Sequence, residues 1–263
     1  MDFSRGTYAQ QVRSLDYEII DSPETAQCRT AVKQEPKNTK LLLELALAVK
    51  RQTYYYEASE IFSEILMLDP FNSTVLCHRG HVYIGIQAYK QAAADFEMAL
   101  RINPTDWDSL YHIGLCYYLL GDYETAREYY ARCYAVSKTE EDLTAVTDWY
   151  WLTLMHLDRV SEAQSILDRV QPDWMYGENE IYYTRLMVYK GLKTPDQVLE
   201  YARTQGNHEF CTYSYGIAYY MWKVQGRKEQ ACRLIEEIAS RTDGCQWGSF
   251  ALKAAQVAKK RGI

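Results

Sequence analysis

Small and aromatic apolar residues return along this chain every 34 positions, in several columns that share one phase. Ala46, Gly80 and Gly114 form one column; Tyr55, Tyr89 and Tyr123 form a second. Ala58, Ala92 and Ala126 make a third, and Phe62, Phe96 and Tyr130 a fourth. Pro36, Pro70 and Pro104 keep the same step. A period of this length predicts a repeated supersecondary unit, here two antiparallel helices, neither of which can bury its apolar stripe alone. Gly80 or Gly114 in the first helix lets the second approach closely, and Ala92 and Ala126 do the same from the other side. Tyr83 and Phe96 then fill the gap between successive units. A proline after the second helix stops it and sets the turn into the next unit.

Three units are clear, at 39–72, 73–106 and 107–140, and the flanks keep the same logic. Upstream, Ser22-Pro23-Glu24 reads as an N-cap, a proline at the first helical position and an acid in the first turn, so 1–38 is expected to cap the array. Downstream, Ala163 follows Ala126 by 37 residues, which implies a three-residue insertion around 141–143. Residues 141–242 then read as divergent helix pairs. The first has an aromatic seam at Trp149 and Trp151; in the next, at about 179–206, Thr194-Pro195 opens the second helix. The last, at about 209–242, is carried by Gly216, Tyr219 and Ala231. Residues 243–263 are expected to form a capping helix, with Phe250, Ala251, Ala254, Ala255 and Ala258 on one face. No linker or low-complexity stretch interrupts the chain, so 1–263 reads as a single domain.

The residues in these columns resemble the tetratricopeptide motif. In 73–106 it matches at Gly80, Tyr83, Ala92, Phe96, Ala99 and Pro104; in 107–140 at Gly114, Tyr117, Gly121, Tyr123, Ala126 and Tyr130. The unit before matches at Ala46, Tyr55, Ala58, Phe62 and Pro70. Leu42, Leu76 and Leu110 stand where the motif has tryptophan, and Lys138 where it has proline. The resemblance implies an all-α fold: a right-handed superhelical solenoid of antiparallel helix pairs, about six pairs plus caps. Over the second half, the segments "TDWYWLTL", "ENEIYYTRLMVYKG", "YSYGIAYY" and "QWGSFALKAAQ" resemble a group of bacterial proteins of this type with a divergent C-terminal half.

In arrays of this kind the first helix of each pair lines a concave groove. Carried over by phase, the inward positions are Leu43, Leu47, Cys77, His81, Tyr111, Leu115 and Tyr118, then Asp148, Leu152, Met155, Tyr183, Met187, Tyr213, Ile217 and Tyr220. Lys40, Lys50, Asp108, Glu180 and Lys190 sit among them. Such a groove is more apolar and aromatic than charged, and suits a protein or peptide with hydrophobic anchors. It does not suit the carboxylate clamp of chaperone-tail binders, whose Lys and Asn positions here hold Leu43, Leu47, Cys77 and His81. Apolar inward residues also fit a groove filled by the protein's own segments or by a second copy, as in a homodimer.

Composition narrows the function classes. The 24 tyrosines against six phenylalanines suit half-buried positions with the hydroxyl reaching water. A net charge of −6 without a basic stripe argues against nucleic acid or an anionic membrane as partner. The basic run Lys259, Lys260, Arg261 reads as cations at a helix C-terminus, with Gly262 as a stop. There is no apolar run of signal-peptide or membrane-span length, and the seven scattered cysteines fit a reducing compartment, so the protein is expected to be cytoplasmic. No phosphate loop, nucleophile elbow, zinc-protease helix or calcium loop is present, and neither enzymatic activity nor a cofactor is expected. Cys77, His78, His81 and His112 are the one metal-like grouping; lacking a closely spaced second ligand pair, they read as structural or surface residues. Asp148 beside Trp149 would have a raised pKa if buried. The leading expectation is a scaffold or adaptor that binds protein or peptide. Behind it stand a ligand sensor that changes curvature on binding and an enzyme on a helical scaffold.

Overall fold

The computed structural model describes residues 20–175, 177–241 and 249–262. The proposed cap residues 1–19 and the start of the final segment (243–248, with Cys245) lie outside the described residues. Among the described residues every regular element is helical. The clear units are the pairs α2 (Thr39–Arg51) with α3 (Tyr55–Leu68), α4 (Ser73–Gly85) with α5 (Tyr89–Ile102), and α6 (Trp107–Leu120) with α7 (Tyr123–Val136). Ahead of them is α1 (Pro23–Gln34). The divergent pairs are α8 (Glu140–His156) with α9 (Val160–Ser165) and a 3-10 turn, α10 (Glu180–Tyr189) with α11 (Pro195–Arg203), and α12 (Asn207–Lys223) with α13 (Lys228–Ser240). The chain ends on α14 (Phe250–Lys260). Among the described residues no helix is long and apolar enough to cross a membrane.

Local chemistry explains these boundaries. Asn38, Asn72 and Asp106, in steps of 34, cap α2, α4 and α6 by accepting from backbone N–H groups of the first turn. Ser22 caps α1 as expected, and Thr194 with Gln197 makes a capping box on α11. The insertion lengthens α8, which has 17 residues against 13 in α4. It starts at a second capping box, Thr139 with Asp142. Between the helices of each pair one residue turns left-handed: Thr53 (φ 73°), Gln87 (60°), Gly121 (74°), Asp158 (55°), Gly191 (75°) and Gly226 (70°). Three of these six, Thr53, Gln87 and Asp158, are not glycine, and nothing in the sequence marks those three.

The helices gather into two compact units, Met1–Cys116 and Tyr117–Ile263, with the division inside α6. In the first, Leu42, Ala46, Val49, Ala58, Phe62 and Ile65 make a core on which Cys28 and Val32 of α1 rest. Here the small-residue prediction is met in detail: a Cβ added at Gly80 would lie 2.6 Å from the Phe96 ring. Arg79 reinforces the same contact, pairing with Asp95 at 2.6 Å and donating to Ser63 at 2.9 Å.

The second unit is built around α12, whose residues from Phe210 to Tyr219 are all buried. A helix apolar on every side belongs inside a fold, and α8, α10, α11, α13 and α14 all pack on this one. Trp149 and Trp151 are fully buried, and Trp151 stacks on Tyr189 with centroids 3.8 Å apart. Arg261 does more than end α14: its guanidinium donates to the Leu120 carbonyl at 2.7 Å and so ties the last helix to the α6–α7 turn.

Candidate functional site

The expected inward residues divide between the two units. In the first, Leu43 and Leu47 on α2 and His81 on α4 stay partly exposed, whereas Tyr111 and Leu115 on α6 are buried at 5% and 0%. In the second, Tyr118, Asp148, Tyr183 and Tyr213 are buried at 2%, 0%, 7% and 4%, and of those named for the groove Tyr220 keeps partial exposure. Burial there comes from the unit's own helices. The Tyr118 hydroxyl lies 2.8 Å from that of Tyr215 and 2.9 Å from His156 Nε2. Tyr123 stacks on His156 at 3.9 Å.

Asp148 meets a partner that the sequence did not suggest. Arg185 of α10, itself fully buried, places Nη2 2.9 Å from Asp148 Oδ2 and donates to Tyr189 and to the Thr212 carbonyl at 3.1 and 3.0 Å. Burial pushes the Asp148 carboxyl up to about 7, against the pull of Arg185. Burial, with Lys223 and Arg261 nearby, pulls His156 down to about 3. Gly216 makes room for the Arg185 cluster, since a Cβ there would lie 2.0 Å from Tyr189 Oη and 2.2 Å from Arg185 Nε.

A denser polar cluster lies on the first unit. Cys77 and His81 stand one turn apart on α4, and Asp108 and His112 one turn apart on α6, so each pair shares a helix face. The structure brings the two faces together. Cys77 Sγ lies 2.9 Å from Asp108 Oδ2 and 3.9 Å from His81 Nε2. His81 Nε2 is 3.2 Å from Asp108 Oδ2, and His112 Nδ1 is 2.9 Å from Asp108 Oδ1. The two imidazoles approach to 3.1 Å. Phe96 packs on both rings, with centroids 5.6 Å from His81 and 5.8 Å from His112. Burial alone would raise the Asp108 carboxyl, but hydrogen bonds from His112 and His81 hold it well below the usual range. Burial, then His112, lowers His81 to about 4; burial raises the Cys77 thiol and lowers the Lys50 ammonium. His78 belongs elsewhere, stacked on Phe62 at 5.8 Å. The sequence groups the histidines with Cys77 by proximity, whereas Asp108 is marked only by the matched one-turn spacing on two successive first helices.

A cleft of about 360 Å³ opens in the second unit between α10, α11 and α12, lined by Glu180, Thr184, Lys193, Gln197, Val198, Tyr201 and Tyr213.

Helix pairs of this kind, repeated in tandem, define a class of repeat protein, and known proteins identify which. Residues 73–106 and 96–128 match family models described as tetratricopeptide repeat. The segment 73–128 is thus built of tetratricopeptide repeats. Among curated relatives, the BBSome complex member BBS4 of Xenopus tropicalis is 25% identical over 125 residues, 46% of this chain and 24% of that protein. The SGT1 homolog of Bos taurus is 23% identical over 160 residues, 56% of this chain and 44% of that one. The general transcriptional corepressor trfA of Dictyostelium discoideum is 27% identical over 125 residues, 47% and 9%. The chain thus spans less than half of each of these relatives. A tetratricopeptide repeat protein from Parabacteroides merdae shares the fold at TM-score 0.57 and 20% identity, covering 88% of this chain and 91% of that one. YrrB, described as having an unusual peptide-binding site, does so at 0.50 and 18%, covering 90% and 99%.

Proposed function

We propose that the protein is a scaffold that binds a protein or peptide through hydrophobic anchors, with recognition centred on the inner face of its first unit. The reading rests on one observation: of the expected inward side chains, Leu43, Leu47 and His81 of the first unit remain accessible, while most of those in the second are buried by their own helices. Partly exposed leucines on a packed helix offer anchoring sites without requiring the core to open. Membership of a complex, stated in the name of BBS4, is consistent with this reading. Panning a random-peptide library on the immobilised protein tests it. Enriched peptides should carry apolar anchors and lose at least tenfold in affinity for a folded Leu43→Glu/Leu47→Glu variant. Peptides that bind wild type and variant alike would refute the surface, and a concentration-dependent dimer lost in the variant would make a second copy the occupant.

A further inference from the structure

We propose that Cys77, His81, Asp108 and His112 form a binding site for one divalent transition-metal ion of the zinc type, clamping the first helices of two neighbouring repeats together. Cys77, His81 and Asp108 bring a thiol, an imidazole and a carboxylate to a common point from two rigid helices, and His112 stands beside them, next to His81 and Asp108. Sγ of Cys77, a ring nitrogen of His81 and a carboxylate oxygen of Asp108 lie within 4.8 Å of one another. Bond lengths of about 2.3 Å to sulfur and about 2.0–2.1 Å to nitrogen or oxygen put tetrahedral ligand–ligand edges at about 3.3–3.6 Å. The separations among Cys77 Sγ, His81 Nε2 and Asp108 Oδ2 run from 2.9 to 3.9 Å, so shifts of a few tenths of an ångström would seat three ligands. A larger movement of the His112 ring, 3.1 Å from His81, would bring in the fourth.

Hydrogen bonding alone serves this crowd poorly. A neutral imidazole carries a single N–H. Yet His112 Nδ1 faces His81 Nε2 at 3.1 Å, Asp108 Oδ1 at 2.9 Å and the Asp108 carbonyl at 2.9 Å. One proton serves the contacts to Asp108 but leaves two ring nitrogens facing each other at 3.1 Å, an approach that a cation shared by their lone pairs would draw on. Charge also balances, because a thiolate and a carboxylate offset a divalent ion. Sulfur and nitrogen donors select zinc or cobalt over magnesium and calcium, which require oxygen ligands. The Asp108 side chain is 44% exposed, so a hydrated ion can reach the site. Phe96, packed on both histidines, fixes the rings as an outer shell does in known metal sites. Lys50 is the nearby cation and would face a site neutralised by the bound metal.

The test is titration of the chelator-treated full chain with cobalt(II), followed by competition with zinc(II). We expect one equivalent to bind, with a near-ultraviolet thiolate-to-cobalt band and the intense visible bands of a tetrahedral site. Cys77→Ser should abolish the charge-transfer band, and His81→Gln and Asp108→Asn should each weaken binding at least tenfold. Cys116→Ser and His78→Gln should bind as wild type does. Asp108→Asn, at a half-exposed position, keeps the proposal falsifiable if a buried-residue variant does not fold. Failure of the folded protein to take up stoichiometric cobalt or zinc, or uptake that Asp108→Asn leaves unchanged, would overturn the proposal. Peptide recognition is measured separately, so the loss of one reading leaves the other standing.

Discussion

Two buried groups in the second unit should give stability opposing responses to pH, and the opposition can be unmasked one residue at a time. Asp148 has its carboxyl lifted from 3.8 to about 7 by burial. Between those values the folded state holds a proton that the unfolded state has released, so stability falls as pH rises. His156, enclosed by Tyr118, Tyr123 and Tyr219, is lowered from 6.5 to about 3. Between those values the unfolded state holds the extra proton, and stability rises with pH. Each group contributes up to about 1.4 kcal/mol per pH unit, the value of one unit of pKa. From about pH 4 to 6.5 the two slopes therefore offset each other in the wild type. Asp148→Asn should make the slope more positive by about 1.4 kcal/mol per unit, and His156→Gln more negative by the same amount. The assay is urea denaturation followed by far-ultraviolet circular dichroism at half-unit steps. The slope is compared rather than the level, because any replacement also changes packing. Variants that run parallel to the wild type across this window would refute the reasoning.

Three further outcomes follow from the packing. Arg185→Met leaves Asp148 buried without its cation and should cost about 3–5 kcal/mol by urea denaturation at pH 8, where the carboxylate is ionised. Gly216→Ala forces a methyl group against Tyr189 and Arg185 and should destabilise by about 1–3 kcal/mol despite the better helix propensity of alanine, read as a lower urea midpoint. Gln87→Gly relieves a left-handed residue at φ 60° and should stabilise by up to about 1 kcal/mol, whereas a change at Gln52, just before Thr53, would lose its hydrogen bonds to Ile20 and Ser22 instead. Thermal melts of the Gln87 and Gln52 variants separate the two effects.

Much of the helical frame was legible because the packing requirement repeats. Where one residue had to be small, as at Gly80 against Phe96, the same demand recurs in each unit and leaves a column in the sequence. Caps at Ser22 and Thr194 were legible because their chemistry is local. The left-handed turns at Thr53, Gln87 and Asp158 were not, since residues that pay a steric cost there leave no glycine to mark it. The Asp148–Arg185 pair was hidden for another reason: it joins α8 to α10 in the divergent half, where the insertion breaks the phase that would have aligned them. Full burial of α12 could have been anticipated from NHEFCTYSYGIAYYMWK, which lacks a polar face across its middle. Taking each first helix to keep an inward side toward a groove put Tyr213 and Ile217 there instead. For the metal-like cluster, His78 drew attention by its place beside Cys77. The informative relation was one helical turn, Cys77 to His81 and Asp108 to His112.

The central claim is that partners meet the inner face of the first unit, and site-specific photocrosslinking in native lysate tests it most directly. A photoreactive residue at position 47 on α2 is compared with one at position 67 on α3, where Met67 is 76% exposed. Discrete adducts from position 47 and none from position 67 are the predicted result. Adducts confined to position 67, or equal at both, would contradict it.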